Sequence, residues 1–224
     1  MSSSTTSAVN GLRRISESDL PAEQRFWDGW NANGGPKYPR DDVVRFCLRR
    51  YRDRASRAGV RALDLGCGGG VNSLFLAEEG FEITACDISP AGVALTNERL
   101  AARGLKAESA VASLDNLPFP PQSFDLIVSV GVLDCCMPGV PEAALPAIGR
   151  LLRPKGAGLF IFATDKDYRI DDPANPFVRR GFTEAEVVAM FNGAFSSVEI
   201  DRHTATEKGR TIALDNWMVT VGEN

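Results

Sequence analysis

No stretch of this chain approaches the roughly 20 uninterrupted apolar residues that a membrane span needs, which argues against an integral membrane protein. The first eleven residues, MSSSTTSAVNG, lack the apolar core of a secretory signal and read as a floppy terminus. A cytoplasmic location is therefore expected. Positive charge is also scarce: 25 Lys and Arg against 29 Asp and Glu leave a net charge of −4. A nucleic-acid partner, which would favour a basic face, is not expected. Arg45, Arg49, Arg50, Arg52, Arg54 and Arg57 do crowd one segment, and they read first as a solvated helix face. The five cysteines (Cys47, Cys67, Cys86, Cys135 and Cys136) are an odd number without the paired spacing of a metal site. Neither a disulfide framework nor zinc is expected. No internal repeat and no linker divides the sequence.

What is present suits a globular domain: 44% hydrophobic and 24% charged residues in a chain of 224, long enough for a substantial core. Residues 1–17 read as a disordered tail, 18–58 as an N-terminal helical lid or cap, and 59–224 as the main domain. In the cap, RDDVVRFCLRRYRDRAS places Val43, Val44, Cys47, Leu48 and Tyr51 at helical spacing. Strands and helices then alternate. VRALDL (60–65), FEITACD (81–87), KAESAVA, FDLIVSV (124–130) and AGLFIFAT (157–164) are strand candidates. Between them, VNSLFLAEE is stopped by Gly80, and Ser89-Pro90 supplies an N-cap and first-turn proline for AGVALTNERLAAR. A further helix is expected to run into RLLRPKG and end at Pro154 and Gly156. Thr183 and Glu186 have the spacing of a capping box, opening a helix that Gly193 closes. SSVEIDR and DNWMVTV have no helix between them and should form an antiparallel hairpin. The alternation predicts an α/β fold, a mainly parallel sheet with helices on both faces.

Ligands bind such sheets at the carboxyl ends of the strands, near the point where strand order reverses. The first strand runs into Asp64-Leu65-Gly66-Cys67-Gly68-Gly69-Gly70. The dinucleotide fingerprint Gly-x-Gly-x-x-Gly fails here, because counting from Gly66 its third glycine would be Val71. The pattern present is Asp-x-Gly-x-Gly-x-Gly. The second strand ends in Asp87, where a carboxylate is able to accept both hydroxyls of a ribose. Hydrogen bonds to a charged group contribute about 1.5–3 kcal/mol each.

LDLGCGGG, CDIS, LPFPPQSFDLIVS and LLRPKGAGLF, in this order and spacing, resemble the successive motifs of class I S-adenosylmethionine-dependent methyltransferases over residues 40–222. The resemblance implies a Rossmann-like methyltransferase sandwich whose seven-stranded sheet is ordered 3-2-1-4-5-7-6, with strand 7 antiparallel. It implies S-adenosyl-L-methionine as cofactor and S-adenosyl-L-homocysteine as product. Gly66 and Gly68 would lie against the methionine moiety, Asp64 towards its amino group, Asp87 on the ribose and Ile88 on the adenine. Where many relatives carry an Asp five residues before the proline of LPF, this chain has Ser113, so adenine should rest more on Leu114. Val130 borders the methyl-donor end.

Methyl transfer is a displacement at an already activated carbon, so alignment matters most and no triad need be visible. The aromatic leader makes Trp30 and Tyr38 candidates for a lid that touches substrate. Asp134, and Tyr168 with Arg169 in the long polar segment after strand five, are further substrate candidates. Tyr38 and His203, the sole histidine, are the candidate proton acceptors. Cys135 and Cys136 read as buried packing rather than as nucleophiles. A small-molecule acceptor fits better than a nucleic acid or a membrane, and no metal is called for. Two other readings share these features. A nicotinamide-dependent oxidoreductase is disfavoured by the missing glycine and the terminal hairpin. A non-catalytic S-adenosylmethionine-binding module is disfavoured by the intact Gly66, Gly68 and Asp87.

Overall fold

The computed structural model describes residues 22–32, 35–172, 180–206 and 213–222. The tail expected over 1–17 lies outside them. Two helices, α1 (Ala22–Asn31) and α2 (Asp41–Arg50), precede the alternating series. That series runs β1 (Arg61–Leu65), α3 (Val71–Glu78), β2 (Glu82–Asp87), α4 (Pro90–Ala101), β3 (Glu108–Val111) and β4 (Phe124–Val130). It continues with α5 (Val140–Leu151), β5 (Leu152–Ala163), α6 (Glu184–Asn192), β6 (Ser197–Thr206) and β7 (Ala213–Gly222). The strands form one sheet in the order β3-β2-β1-β4-β5-β7-β6. All pairings are parallel except those of β7, which is antiparallel to both β5 and β6. Topology and strand order match the expectation.

Side chains alternate across each strand, so neighbouring residues feed opposite layers. Ala62, Leu126, Val128, Leu159 and Ile161 face a core shared with Val43 and Cys47 of α2 and Leu76 of α3. Leu63, Ile127, Phe160 and Phe162 face the other layer, with Leu145 and Ile148 of α5 and Val187 and Phe191 of α6. Both faces are therefore dry, as a mainly parallel sheet requires. Ser89 caps α4, its hydroxyl accepting from Gly92 N at 2.9 Å. Thr183 and Glu186 close a full capping box on α6.

Three expectations need correction. The amphipathic pattern through Ser56 overshoots α2, which ends at Arg50 as Tyr51 leaves helical geometry (φ −120°, ψ 74°). Arg57, expected on a solvated face, is only 5% exposed. Its guanidinium donates to the carbonyls of Tyr51 (2.9 Å) and Arg52 (3.0 Å), just past the helix end, and pairs with Glu79. Finally, α5 stops at Leu151, not at Pro154 and Gly156. Leu152 already pairs with Phe124, and the regular register resumes at Leu126 opposite Ala157. Pro154, with no N–H to donate, sits inside that register shift, where the ladder has no use for one.

Candidate active site at the carboxyl edge of the sheet

Strand β1 delivers the chain into the glycine turn between β1 and α3. The N–H groups of Gly66 and Cys67 both donate to the Cys86 carbonyl, at 2.7 and 2.9 Å, which ties the turn to the end of β2. Gly66 has φ +80°, and a Cβ there would collide with Val132 Cγ2; at Gly70, also φ +80°, it would lie 2.6 Å from Thr96 Oγ1. No other residue type fits either position without strain. Asp87 binds the turn to α4: Oδ2 accepts from Gly68 N and Oδ1 from Ser89 N, each at 2.8 Å. Burial pushes its pKa up, and those two N–H bonds oppose the shift. A carboxylate oxygen accepts more than one bond, so Asp87 keeps capacity for a ligand.

These groups open onto a cavity of about 450 Å³. Gly66, Gly68, Asp87, Ile88, Ser113, Leu114 and Val130 all line it, so seven of the eight residues expected around a cofactor converge. Asp64 does not line the cavity. It is fully buried under the turn, where Ser73 Oγ donates to Oδ2 at 2.6 Å and Oδ1 has no partner among the described residues. Desolvation pushes its carboxyl up to about 6.

The second wall comes from the N-terminal segment. Asp28 accepts from the Ser89 hydroxyl and from Ala91 N (3.0 Å), and Gln24 Nε2 donates to the Ile88 carbonyl at 3.1 Å. Helix α1 is thus docked on the start of α4. Asn31, 3% exposed, packs so close to Gly92 that a Cβ there would lie 2.7 Å from Asn31 Nδ2. Trp30 and Tyr38 line the cavity as expected, with Tyr38 82% exposed at its rim. Trp27, Asn31 and Arg40 line it too. Residues of α1 and of 35–40 line the cavity, whereas Val43 and Cys47 of α2 are core residues.

Asp134, Cys135, Cys136 and Arg169 line the cavity as well. Asp134 is 1% exposed; Oδ2 accepts from Ala163 N at 3.0 Å, and Oδ1 has no partner among the described residues. Burial raises its pKa against the pull of Arg169. Among the described residues, no cluster of three or more His, Cys, Asp or Glu is disposed to hold a metal ion.

Residues 62–156, from β1 into β5, match the family model described as a methyltransferase domain. Over that segment the chain is similar to class I methyltransferases. A ubiquinone biosynthesis O-methyltransferase of Xylella fastidiosa (strain M23) is 31% identical over 146 residues, covering 65% of this chain and 58% of the relative. One from Xanthomonas oryzae pv. oryzae (strain PXO99A) is 31% identical over 156 residues, 68% of this chain and 63% of the relative. The chain therefore spans less than two thirds of the length of these curated relatives. Among solved structures, the N-methyltransferase NodS of Bradyrhizobium japonicum, in complex with S-adenosyl-L-homocysteine, superposes with a TM-score of 0.68. The identity is 18%, covering 91% of this chain and 99% of that one. The [4+2]-cyclase SpnF also matches, with a TM-score of 0.59, 19% identity and coverage of 78% and 80%.

Several of the expected residues take other places. His203 stands on β6, its Nδ1 3.2 Å from Asp42 Oδ1, and does not line the cavity. The carboxylate of Asp42 accounts for it as an edge-strand partner. Tyr168 is likewise absent from the wall, while its neighbour Arg169 is part of it. Cys135 and Cys136, expected as buried packing, are half-buried and line the cavity, because the single 3₁₀ turn Leu133–Cys135 turns this stretch along its wall. Cys67, buried within the turn, has its thiol pKa raised by desolvation; that of Cys86 is pushed up to about 12 for the same reason. Sequence reasoning missed Asp28, Asn31 and Arg40. The spacing of Asp28 and Asn31, three apart in an otherwise aromatic helix, was the available signal; Arg40 offered none beyond its place before a helix.

Proposed function

We propose that this protein transfers a methyl group from S-adenosylmethionine, by direct displacement, to an oxygen, nitrogen or sulfur nucleophile of a small-molecule acceptor. The observation that carries the reading is the union of turn and acid in one cavity. Asp87, at the end of β2, holds Gly68 of the glycine turn and still faces the cavity. In this reading Asp87 takes the ribose hydroxyls, Ile88 and Leu114 flank the adenine, and Ser113 meets its amino group. Gly66 and Gly68 leave room for the methionine moiety. Asp64, closed off under the turn, supports that turn rather than touching the ligand. Arg40 takes the methionine carboxylate. S-adenosylmethionine supplies a methyl carbon already activated by its sulfonium. The chain's own task is to hold the acceptor in line behind that carbon, and alignment of this kind supplies up to about 7–11 kcal/mol in favourable cases.

Asp134 is the group placed to receive a proton from an acceptor that arrives protonated, since its Oδ1 has no other partner among the described residues. Trp30 and Tyr38 form the rim through which the acceptor enters. The O-methyltransferases among the relatives make oxygen the first acceptor atom to test. The test of the cofactor is thermal: melting is followed with S-adenosylmethionine, S-adenosylhomocysteine and NAD. A rise with the two adenosyl ligands alone is expected, and a rise with NAD alone would overturn the reading.

A further inference from the structure

The cavity is lined by two guanidinium groups among the described residues, Arg40 and Arg169. S-adenosylmethionine carries only one carboxylate. The two arginines are also built differently. Arg40 meets Asp42 at 3.6 Å; burial lowers its pKa, with Arg169 adding to the shift and Asp42, Asp134 and Asp167 opposing it. Arg169 is anchored from behind. Its Nε and Nη2 form a fork on Asp167 at 2.8 and 3.0 Å, and Nη2 also donates to Asn216 Oδ1 at 2.9 Å. Asp167 in turn accepts from Asp215 N at 2.7 Å, and Asp167 and Asn216 are both buried. Three elements thus fix one side chain: the 3₁₀ turn Tyr168–Ile170, the segment that precedes it, and β7. With those bonds made, Nη1 has no partner among the described residues, although Arg169 faces the cavity. A guanidinium serving only to hold the loop would have no need to line a cavity with donors unspent.

We propose that Arg169 is the specificity-determining residue for the acceptor, and that the acceptor is a small molecule bearing a carboxylate which binds its Nη1 edge beside Asp134. The inference rests on the methyl-transfer reading of the same cavity and deepens it. A carboxylate is favoured over a phosphate by the neighbouring charges. Asp167 already neutralises Arg169, and Asp134 lines the same cavity, so a second negative charge on the ligand meets two carboxyl groups, while Arg40, the other cation there, pairs with Asp42 and is assigned to the methionine carboxylate. The body of the acceptor would meet Val132, Val140 and Met137, which line the same cavity. Asp134 then lies on the acceptor's side of the cavity, where a nucleophile loses its proton.

The experiment is equilibrium binding to the full chain saturated with S-adenosylhomocysteine. The probes are benzoate, 4-hydroxybenzoate and hexanoate, each beside its primary amide, together with phenyl phosphate. The expected result is at least one acid binding about tenfold or more tightly than its amide, the size of one charge-assisted hydrogen bond. In Arg169→Gln that preference should disappear while affinity for S-adenosylhomocysteine is unchanged. Arg169→Lys, which keeps the charge but loses the fork, should retain part of it and guards against a loss that merely reflects misfolding. Equal binding of acids and amides by the unaltered chain would overturn the proposal. So would tighter binding of phenyl phosphate than of benzoate. A fall in S-adenosylhomocysteine affinity in Arg169→Gln would assign Arg169 to the cofactor and overturn it as well. Failure of the unaltered chain to bind S-adenosylhomocysteine at all would instead refute the methyl-transfer reading beneath it.

Discussion

Asp87 and Asp64 sit two strands' ends apart and carry different burdens. Asp87 stands at the end of its strand, which by itself suggests that its removal leaves the fold untouched; the bonds to Gly68 and Ser89 show otherwise. Asp87→Asn is expected to weaken S-adenosylhomocysteine binding about tenfold or more, and Asp87→Ala should add a stability loss of about 1–3 kcal/mol from the abandoned N–H groups. Calorimetric titration with parallel denaturant unfolding separates the two effects. An unchanged dissociation constant would sink the ribose assignment. Asp64 reports through pH. A carboxyl with a higher pKa in the fold than in the unfolded chain binds more protons when folded between the two values. Stability therefore falls as pH rises from 3.8 to about 6, and stays lower above that. The share of Asp64 is on the order of 3 kcal/mol, and Asp87 and Asp134, also raised, act in the same direction. Asp64→Asn should flatten the melting temperature across that window. A slope equal to that of the unaltered chain would show Asp64 to be ionised without cost. Asp64, Gly66, Gly68 and Asp87 were legible in the sequence because the turn and the strand-end acid are local patterns. That Asp64 faces away from the cavity was not, because only the packing of Ser73 against it decides the direction.

At the scale of elements, α1 is the piece whose role the sequence left open. It buries little of its own length, and its hold on the domain runs through Asp28 at the start of α4. Asp28→Ala removes a side-chain cap on α4 as well as the tether, a loss of about 0.5–2 kcal/mol. Its larger effect is expected on the ligand, because Trp27, Trp30 and Asn31 all line the cavity from this helix. Weaker S-adenosylhomocysteine binding with a small change in melting is the expected outcome; unchanged binding would show the wall to be dispensable. The helix boundaries teach a related lesson. The apolar periodicity of α2 carries on past Arg50 in sequence, but Arg57 competes for the carbonyls at that point. A side chain six residues beyond Tyr51 takes the carbonyls just past the helix end, and no local propensity scale contains that contact.

For the whole molecule, the sheet gathers its ligand-facing groups at one edge, the carboxyl ends of β1, β2 and β4 with the segments after β3 and β5, and α1 with residues 35–40 supplies the rest of the wall, while the β6–β7 hairpin completes the sheet on its far side. S-adenosylhomocysteine at 100 times its dissociation constant should stabilise the protein by about 2.7 kcal/mol, a rise of about 5 to 11 °C for a chain of this size. Hydrogen exchange should then slow in residues 22–32 and 35–40 and in the turn after β1, with β6 unaffected. Protection spread evenly over β6 would mean that the ligand acts on global stability alone. The match to both a methyltransferase and a cyclase at similar TM-scores shows why the fold does not name the reaction.

By itself the sequence determined the alternation of strands and helices, the glycine turn, the acid at the end of β2 and the caps of α4 and α6, because each is written in residues close together in the chain or in alternation along it; the strand order was implied by the resemblance to class I methyltransferases. The tertiary structure alone decided which side chains share the cavity. Arg40 and Arg169 are 129 positions apart yet line one cavity, and His203, near neither in function, is paired with Asp42 outside it. Periodicity reports which face of an element is buried, but contacts between distant elements depend on how the layers pack, and that information is carried by no single segment.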